Sequence, residues 1–131
     1  MEITTDGNTA NKVNSLPQPH SLEAERFVLG GLISDPDRID AVTEQLDKED
    51  FFSMSHRNIF AVIREMKDDE LSINIDSLAE ALDRRDLISQ VGGPAYLESL
   101  VANTLSAAHI VSYAKIVSER STLRQMITAA G

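Results

Sequence analysis

From Ser21 onward the apolar residues recur at intervals of three and four, the period of helices that bury one face. Ser21 is placed to cap a first helix, and Glu23 and Glu25 in its opening turn suit a positive helix N-terminus. Leu22, Leu29, Leu32 and Ile33 fall on or near one side, widened by Phe27 and Val28. Asp35-Pro36 predicts a restart, with Asp as cap and Pro at the first helical position, followed by Ile39, Val42 and Leu46 at helical spacing. Ser55 predicts the start of a third helix with Ile59, Phe60, Ile63 and Met66 facing inward. Leu71 to Ile75 alternates and reads as a short extended link, after which Ser77 and Glu80 form a capping box for a helix burying Leu78 and Leu82. Gly92-Gly93-Pro94 predicts a turn into a short helix with Tyr96, Leu97 and Leu100. After a break at Asn103 to Ser106, Ser106 caps a long final helix. The pattern describes an all-α fold, a compact bundle of about six helices.

The final helix changes face. At about 100° per residue, Ile110, Tyr113, Ala114 and Val117 share one side, opposite Ser112, Lys115 and Glu119. Beyond Glu119 the arrangement inverts: Arg120, Ser121, Arg124 and Thr128 take the formerly apolar side, and Leu123, Met126, Ile127 and Ala130 line the other. A straight helix does not bury both faces against one neighbour. The first half is expected to close its own domain and the second to project from it, its apolar side meeting a partner; a helix bending over a wide core is the alternative. The organisation expected is therefore a disordered tail over 1–19, a helical globular head over 20–105 and a long helix over 106–131. The pattern is still helical at Gly131, so the sequence is expected to be part of something longer.

Met1 to Pro19 is polar, without apolar periodicity, and lacks the apolar core of a secretory signal, which predicts a cytoplasmic protein. The 131 residues suffice for one domain, with no apolar run near the ~18 residues of a membrane span. A net charge of −9 disfavours gripping nucleic acid directly. The absence of cysteine excludes disulfides, thiolate metal sites and cysteine nucleophiles. No lysine stands in a Gly-x-x-x-x-Gly-Lys-Ser/Thr context, so a P-loop is absent from these residues. Gly30-Gly31 and Gly92-Gly93 lack dinucleotide-loop spacing and are better explained by close helix packing and a turn. His20, His56 and His109 are too scattered for a metal site, and His56 reads as a first-turn residue. Asp37, Asp40 and Glu44 share a helix face, which opens the possibility of a metal-dependent hydrolase, but a solvated face fits them better. A helix-turn-helix over Ser77 to Val101 fails because the would-be recognition helix has no Lys or Arg.

Six strings in order carry a family resemblance: Pro19-His20-Ser21-Leu22-Glu23-Ala24-Glu25 leading into Val28-Leu29-Gly30-Gly31-Leu32; Asp50-Phe51-Phe52; His56-Arg57-Asn58-Ile59-Phe60; Leu78-Ala79-Glu80-Ala81-Leu82; Val91-Gly92-Gly93-Pro94-Ala95-Tyr96-Leu97; and Ala108 through Arg120. From about Pro17 to the end the chain resembles the N-terminal domain of the bacterial replicative DNA helicase, the DnaB family. The resemblance implies a helical head followed by a helical hairpin, of which the last helix is the truncated first arm. It also implies pairing of hairpins into dimers, and a trimer-of-dimers collar in a hexamer that docks primase and a helicase loader. ATP and Mg2+ would belong to a RecA-like motor downstream, DNA contact to that motor and the central channel, and the setting to the replisome at the nucleoid. No cofactor, metal or catalytic residue is expected in this part.

For partner or oligomer contact the pattern nominates Leu123, Met126 and Ile127. Tyr96 is added, its ring following a glycine turn; the competing reading makes it a core aromatic with its hydroxyl at the surface. The rival to a helicase collar is a free-standing acidic helical adaptor without a motor domain.

Overall fold

The structure, a computed structural model, describes residues 18–104 and 106–130. The expected tail lies, through Pro17, outside the described residues, as do Leu105, Gly131 and the side chain of Ala130. Six α-helices and three 3-10 turns occur among the described residues, without a strand, and the all-α expectation holds.

Helix α1 (Leu22–Ser34) runs through the centre, with α3, α5 and α6 packed around it. Ser21 caps it as expected, its hydroxyl accepting Ala24 N–H at 3.2 Å. Val28, Leu29 and Leu32 are fully enclosed. Gly30 and Gly31 are there for packing. A β-carbon on Gly30 would lie 2.3 Å from the Leu100 carbonyl oxygen, and one on Gly31 would lie 2.9 Å from Ile110 Cδ1. Bare backbone on α1 lets its neighbours close in.

After α1 a 3-10 turn, Pro36–Arg38, leads into the short α2 (Ile39–Thr43). Asp35 precedes Pro36 at the cap position, but its carboxylate binds Arg38 Nε at 3.1 Å rather than capping backbone. A second 3-10 turn, Lys48–Asp50, leads to α3 (Met54–Asp68). Its cap is Ser53, two residues before the expected Ser55. Ser53 Oγ accepts His56 N–H at 3.3 Å, while Ser55 sits in the first turn and donates to Gln90 O at 3.1 Å. The predicted stripe Ile59, Phe60, Ile63 and Met66 is buried, joined by Val62 and His56.

Helix α4 (Ile75–Arg84) also begins earlier than expected. Asn74 Oδ1 accepts Ser77 N–H at 2.9 Å and Ser77 Oγ accepts Asn74 N–H at 3.0 Å, so the capping box is Asn74 with Ser77, not Ser77 with Glu80. Glu80 instead pairs with Arg84 at 2.6 Å on the exposed side. Gly92, at φ 107°, makes the predicted turn into α5 (Gly93–Ala102), which buries Leu97 and Leu100. Ser106 caps a 3-10 turn, Ala107–His109, that runs into α6 (Ile110–Ala130). One continuous apolar core joins these elements, and each fully buried Leu, Ile or Phe contributes about 1.5–3 kcal/mol.

Candidate interaction face and its polar support

The first half of α6 belongs to the core. Ile110, Ala114 and Val117 are buried, and Tyr113 stacks on Phe27 of α1 with ring centroids 4.5 Å apart. Beyond Glu119 the side that turns toward the head is polar but still engaged. Ser121 is 2% exposed and donates to Asp50 Oδ1 at 2.6 Å. Arg124 donates from Nη2 to Asp50 O at 2.6 Å and from Nη1 to Pro19 O at 2.8 Å. Its guanidinium also lies 5.6 Å from the Phe52 ring centroid, and His20 stacks on Phe52 at 4.0 Å. Burial pushes the Arg124 guanidinium below its ordinary value, and Arg57 adds to that, while the Glu25 and Asp50 carboxylates oppose it.

This corrects one expectation. The second half of α6 does not leave the head at Glu119; a polar clasp holds it as far as Arg124. The apolar residues on its other side are left uncovered, with Leu123 44%, Met126 61% and Ile127 47% exposed. A change of face on one helix is thus satisfied on one side by hydrogen bonds and left open on the other.

Tyr96 is placed differently from either expectation. It is half-buried, and its hydroxyl points inward, 2.6 Å from His56 Nε2. His56, 2% exposed, meets Glu25 Oε1 through Nδ1 at 2.7 Å. An ionised carboxylate only accepts, so the imidazole donates from Nδ1, and in the neutral ring Nε2 takes the Tyr96 O–H. Glu25, itself 1% exposed, also accepts Phe52 N–H at 2.7 Å and Ser53 N–H at 3.3 Å. A carboxylate at the N-terminus of α3 satisfies two backbone donors and meets the positive end of that helix dipole. The result is a buried polar chain from α1 through α3 to α5, which fastens these elements in one arrangement.

Sequence reasoning missed this chain. Read from the sequence, Glu25 answers to its own helix dipole, His56 to its place in a first turn, and Tyr96 to a partner contact or to a core position with its hydroxyl at the surface. The one available signal was the density of polar residues around the start of α3, where an unpaired buried histidine would have required a partner. The other weighed positions do not assemble. Asp37 lies 3.4 Å from Lys67 Nζ, Asp40 and Glu44 are exposed, and no three metal-ligating side chains converge among the described residues. No single described helix is long and apolar enough to cross a membrane.

A helical head closed by a long terminal helix, whose distal half is polar toward the head and apolar outward, defines an all-α domain. Residues 17–119 match the family described as the DnaB-like helicase N-terminal domain, and the chain belongs to that family. It is 39% identical over 131 residues to the replicative DNA helicase DnaB of Buchnera aphidicola, covering 99% of this chain and 28% of that protein. Against replicative DNA helicase DnaB of Pasteurella multocida the identity is 41%, over 86% of this chain and 24% of that protein. Against replicative DNA helicase DnaC of Bacillus subtilis it is 34%, over 90% and 26%. The chain thus spans about a quarter of the length of these relatives. The crystal structure of the N-terminal domain of DnaB helicase from Mycobacterium tuberculosis superposes with a TM-score of 0.85 at 34% identity, covering 87% of this chain and 83% of that one.

Proposed function

We propose that this chain is the assembly and docking domain of a hexameric, ATP-dependent replicative DNA helicase. Such a helicase would unwind duplex DNA at the replication fork of a bacterial cell. The head over 20–105 carries no part of the motor in this reading; α6 and its continuation form the arm through which subunits associate. The observation that carries the reading is the exposed set Leu123, Met126 and Ile127 on a helix whose opposite side is fastened to the head. An apolar row held outward costs free energy unless a partner covers it. Its first partner is a second copy of the arm, giving dimers and, in the complete protein, a trimer of dimers. Primase and a helicase loader are the docking partners. ATP, Mg2+ and DNA are handled by the rest of the protein.

Sedimentation equilibrium of the chain, with and without Ile127→Asp, tests this. A carboxylate at the centre of an apolar contact is expected to weaken self-association by about ten-fold or more, with helix content unchanged by circular dichroism. Association that is indifferent to Ile127→Asp, or a large loss of helicity, would overturn the reading.

A further inference from the structure

The segment Asp50–Ser53 is gripped from two sides by different parts of the chain. From inside the core, the Glu25 carboxylate takes Phe52 N–H and Ser53 N–H. From outside, α6 takes the Asp50 carboxylate through Ser121, the Asp50 carbonyl through Arg124, and the Phe52 ring beneath the Arg124 guanidinium. Among the described residues, the hydrogen bonds that tie α6 to the head beyond Glu119 end on Asp50 and Pro19. The clasp therefore depends on where Asp50–Ser53 sits, and Glu25 supports that position together with the buried Phe51 side chain and Arg57 Nε, which donates to Phe51 O at 2.7 Å.

The geometry points to Glu25 as the positioning residue of the arm, with His56 and Tyr96 locking it. Glu25 is held in place by the imidazole, the imidazole by the Tyr96 hydroxyl, and the hydroxyl by α5. A run of hydrogen bonds thus leads from α5 to the Phe52 and Ser53 amides, and two residues of backbone join it to the Asp50 carbonyl that Arg124 holds. The two halves of α6 are anchored by different forces. Ile110, Ala114 and Val117 are held by apolar burial, whereas Ser121 and Arg124 are held by a polar clasp. When the clasp opens, its hydrogen bonds can be exchanged for bonds to water, whereas opening a core contact exposes apolar surface. The distal half can then swing away while the head stays folded, and an event at α5 that disturbs Tyr96 would reach the arm through Glu25. This rests on the reading of α6 as an assembly arm for its biological meaning, but not for its physical content.

The chain contains no cysteine, so two can be introduced for spin labels. Thr128→Cys places one on the distal arm and Asp83→Cys the other on the exposed side of α4. Inter-label distances are measured within single chains, with labelled protein diluted into an excess of unlabelled protein so that assembly does not enter. The unsubstituted protein is expected to give one narrow distribution. Glu25→Gln keeps the shape but loses the charge, and should raise the population of displaced distances by about ten-fold or more, as expected for losing a hydrogen bond to a charged group. Tyr96→Phe should produce the same displaced distances at a lower population, and Ser121→Ala with Arg124→Gln should produce them most strongly. If Glu25→Gln does not fold, Tyr96→Phe alone decides the matter. The proposal is overturned if the two clasp substitutions displace the arm while Glu25→Gln and Tyr96→Phe lower only thermal stability. It is equally overturned if none of the four changes the distribution. Failure to self-associate in the sedimentation experiment, with these distances shifting as expected, would remove the assembly role and leave the positioning of the arm by Glu25 standing.

Discussion

Substituting Gly30 with alanine sets two effects of opposite sign against each other. In the interior of an exposed helix the change stabilises by about 1 kcal/mol, because alanine loses less backbone entropy than glycine. In α1 the new β-carbon would lie 1.9 Å from Thr104 Oγ1, 2.3 Å from the Leu100 carbonyl oxygen and 2.9 Å from its carbon. The Thr104 hydroxyl can rotate away, at the loss of its 2.7 Å hydrogen bond to Leu100 O, worth about 1 kcal/mol. The Leu100 carbonyl is part of the α5 backbone, so α5 itself must retreat by roughly 1 Å to restore normal contact. Overpacking of this kind costs about 3 kcal/mol, the upper part of its usual range. The balance is a destabilisation of about 2–4 kcal/mol. With a urea dependence of about 2 kcal/mol/M, the unfolding midpoint followed by circular dichroism should fall by about 1–2 M. Gly31→Ala is the milder comparison, since its β-carbon meets the buried Ile110 side chain, 2.9 Å from Cδ1 and 3.2 Å from Cγ1, rather than backbone. There the propensity gain offsets part of the crowding, and the midpoint should fall by less than in Gly30→Ala. A Gly30→Ala protein as stable as the original would refute the close approach of α1 and α5.

Two further outcomes are expected. Asn74→Ala should cost about 1 kcal/mol in urea unfolding by removing the α4 cap, whereas Glu80→Ala, which touches only the exposed Arg84, should cost about 0.5 kcal/mol or less; the reverse order would restore Ser77 and Glu80 as the capping pair. Glu70 holds the left-handed conformation at φ 61° where α3 ends, so Glu70→Gly should raise the thermal midpoint by an amount equivalent to about 0.5–1 kcal/mol, and a lowered midpoint would show that the Glu70 side chain contributes more than its strain removes.

The inward stripes of α1, α3 and α4 were legible because burial is repetitive: each contributes several apolar residues at one period, and a single ambiguity does not alter the face. Helix starts were less legible, since several Ser, Asn or Asp residues lie near each boundary. Ser53 and Ser55 have equal capping chemistry, and only the approach of Glu25 to Phe52 N–H and Ser53 N–H selects the earlier one. The outward row Leu123, Met126 and Ile127 could be read directly, as an apolar row displaced from the stripe ahead of it. Its polar counterpart could not. Ser121 and Arg124 look like residues turned to solvent, and their engagement depends on Asp50, more than seventy positions away in the chain. The Glu25, His56 and Tyr96 chain was hidden for the same reason. Each member has an adequate local explanation, and their 31- and 40-residue separations carry no periodic signal.

The packing of α1 against α6 also governs the order in which the molecule can be made. Gly31 and its neighbours on α1 close against Ile110 and the turns that follow, segments separated by about eighty residues, a long loop to close for a helical protein. During synthesis α1 leaves the ribosome first, with Val28, Leu29 and Leu32 exposed and the helix meant to cover part of them not yet made. At about 5–20 residues per second that interval lasts several seconds. In that time α3 and α5 can shield part of α1, but the head is sealed only after α6 emerges. Closure of the head and presentation of the outward apolar row therefore depend on one helix, so a nascent chain acquires that exposed row only at the stage when its own core is being completed.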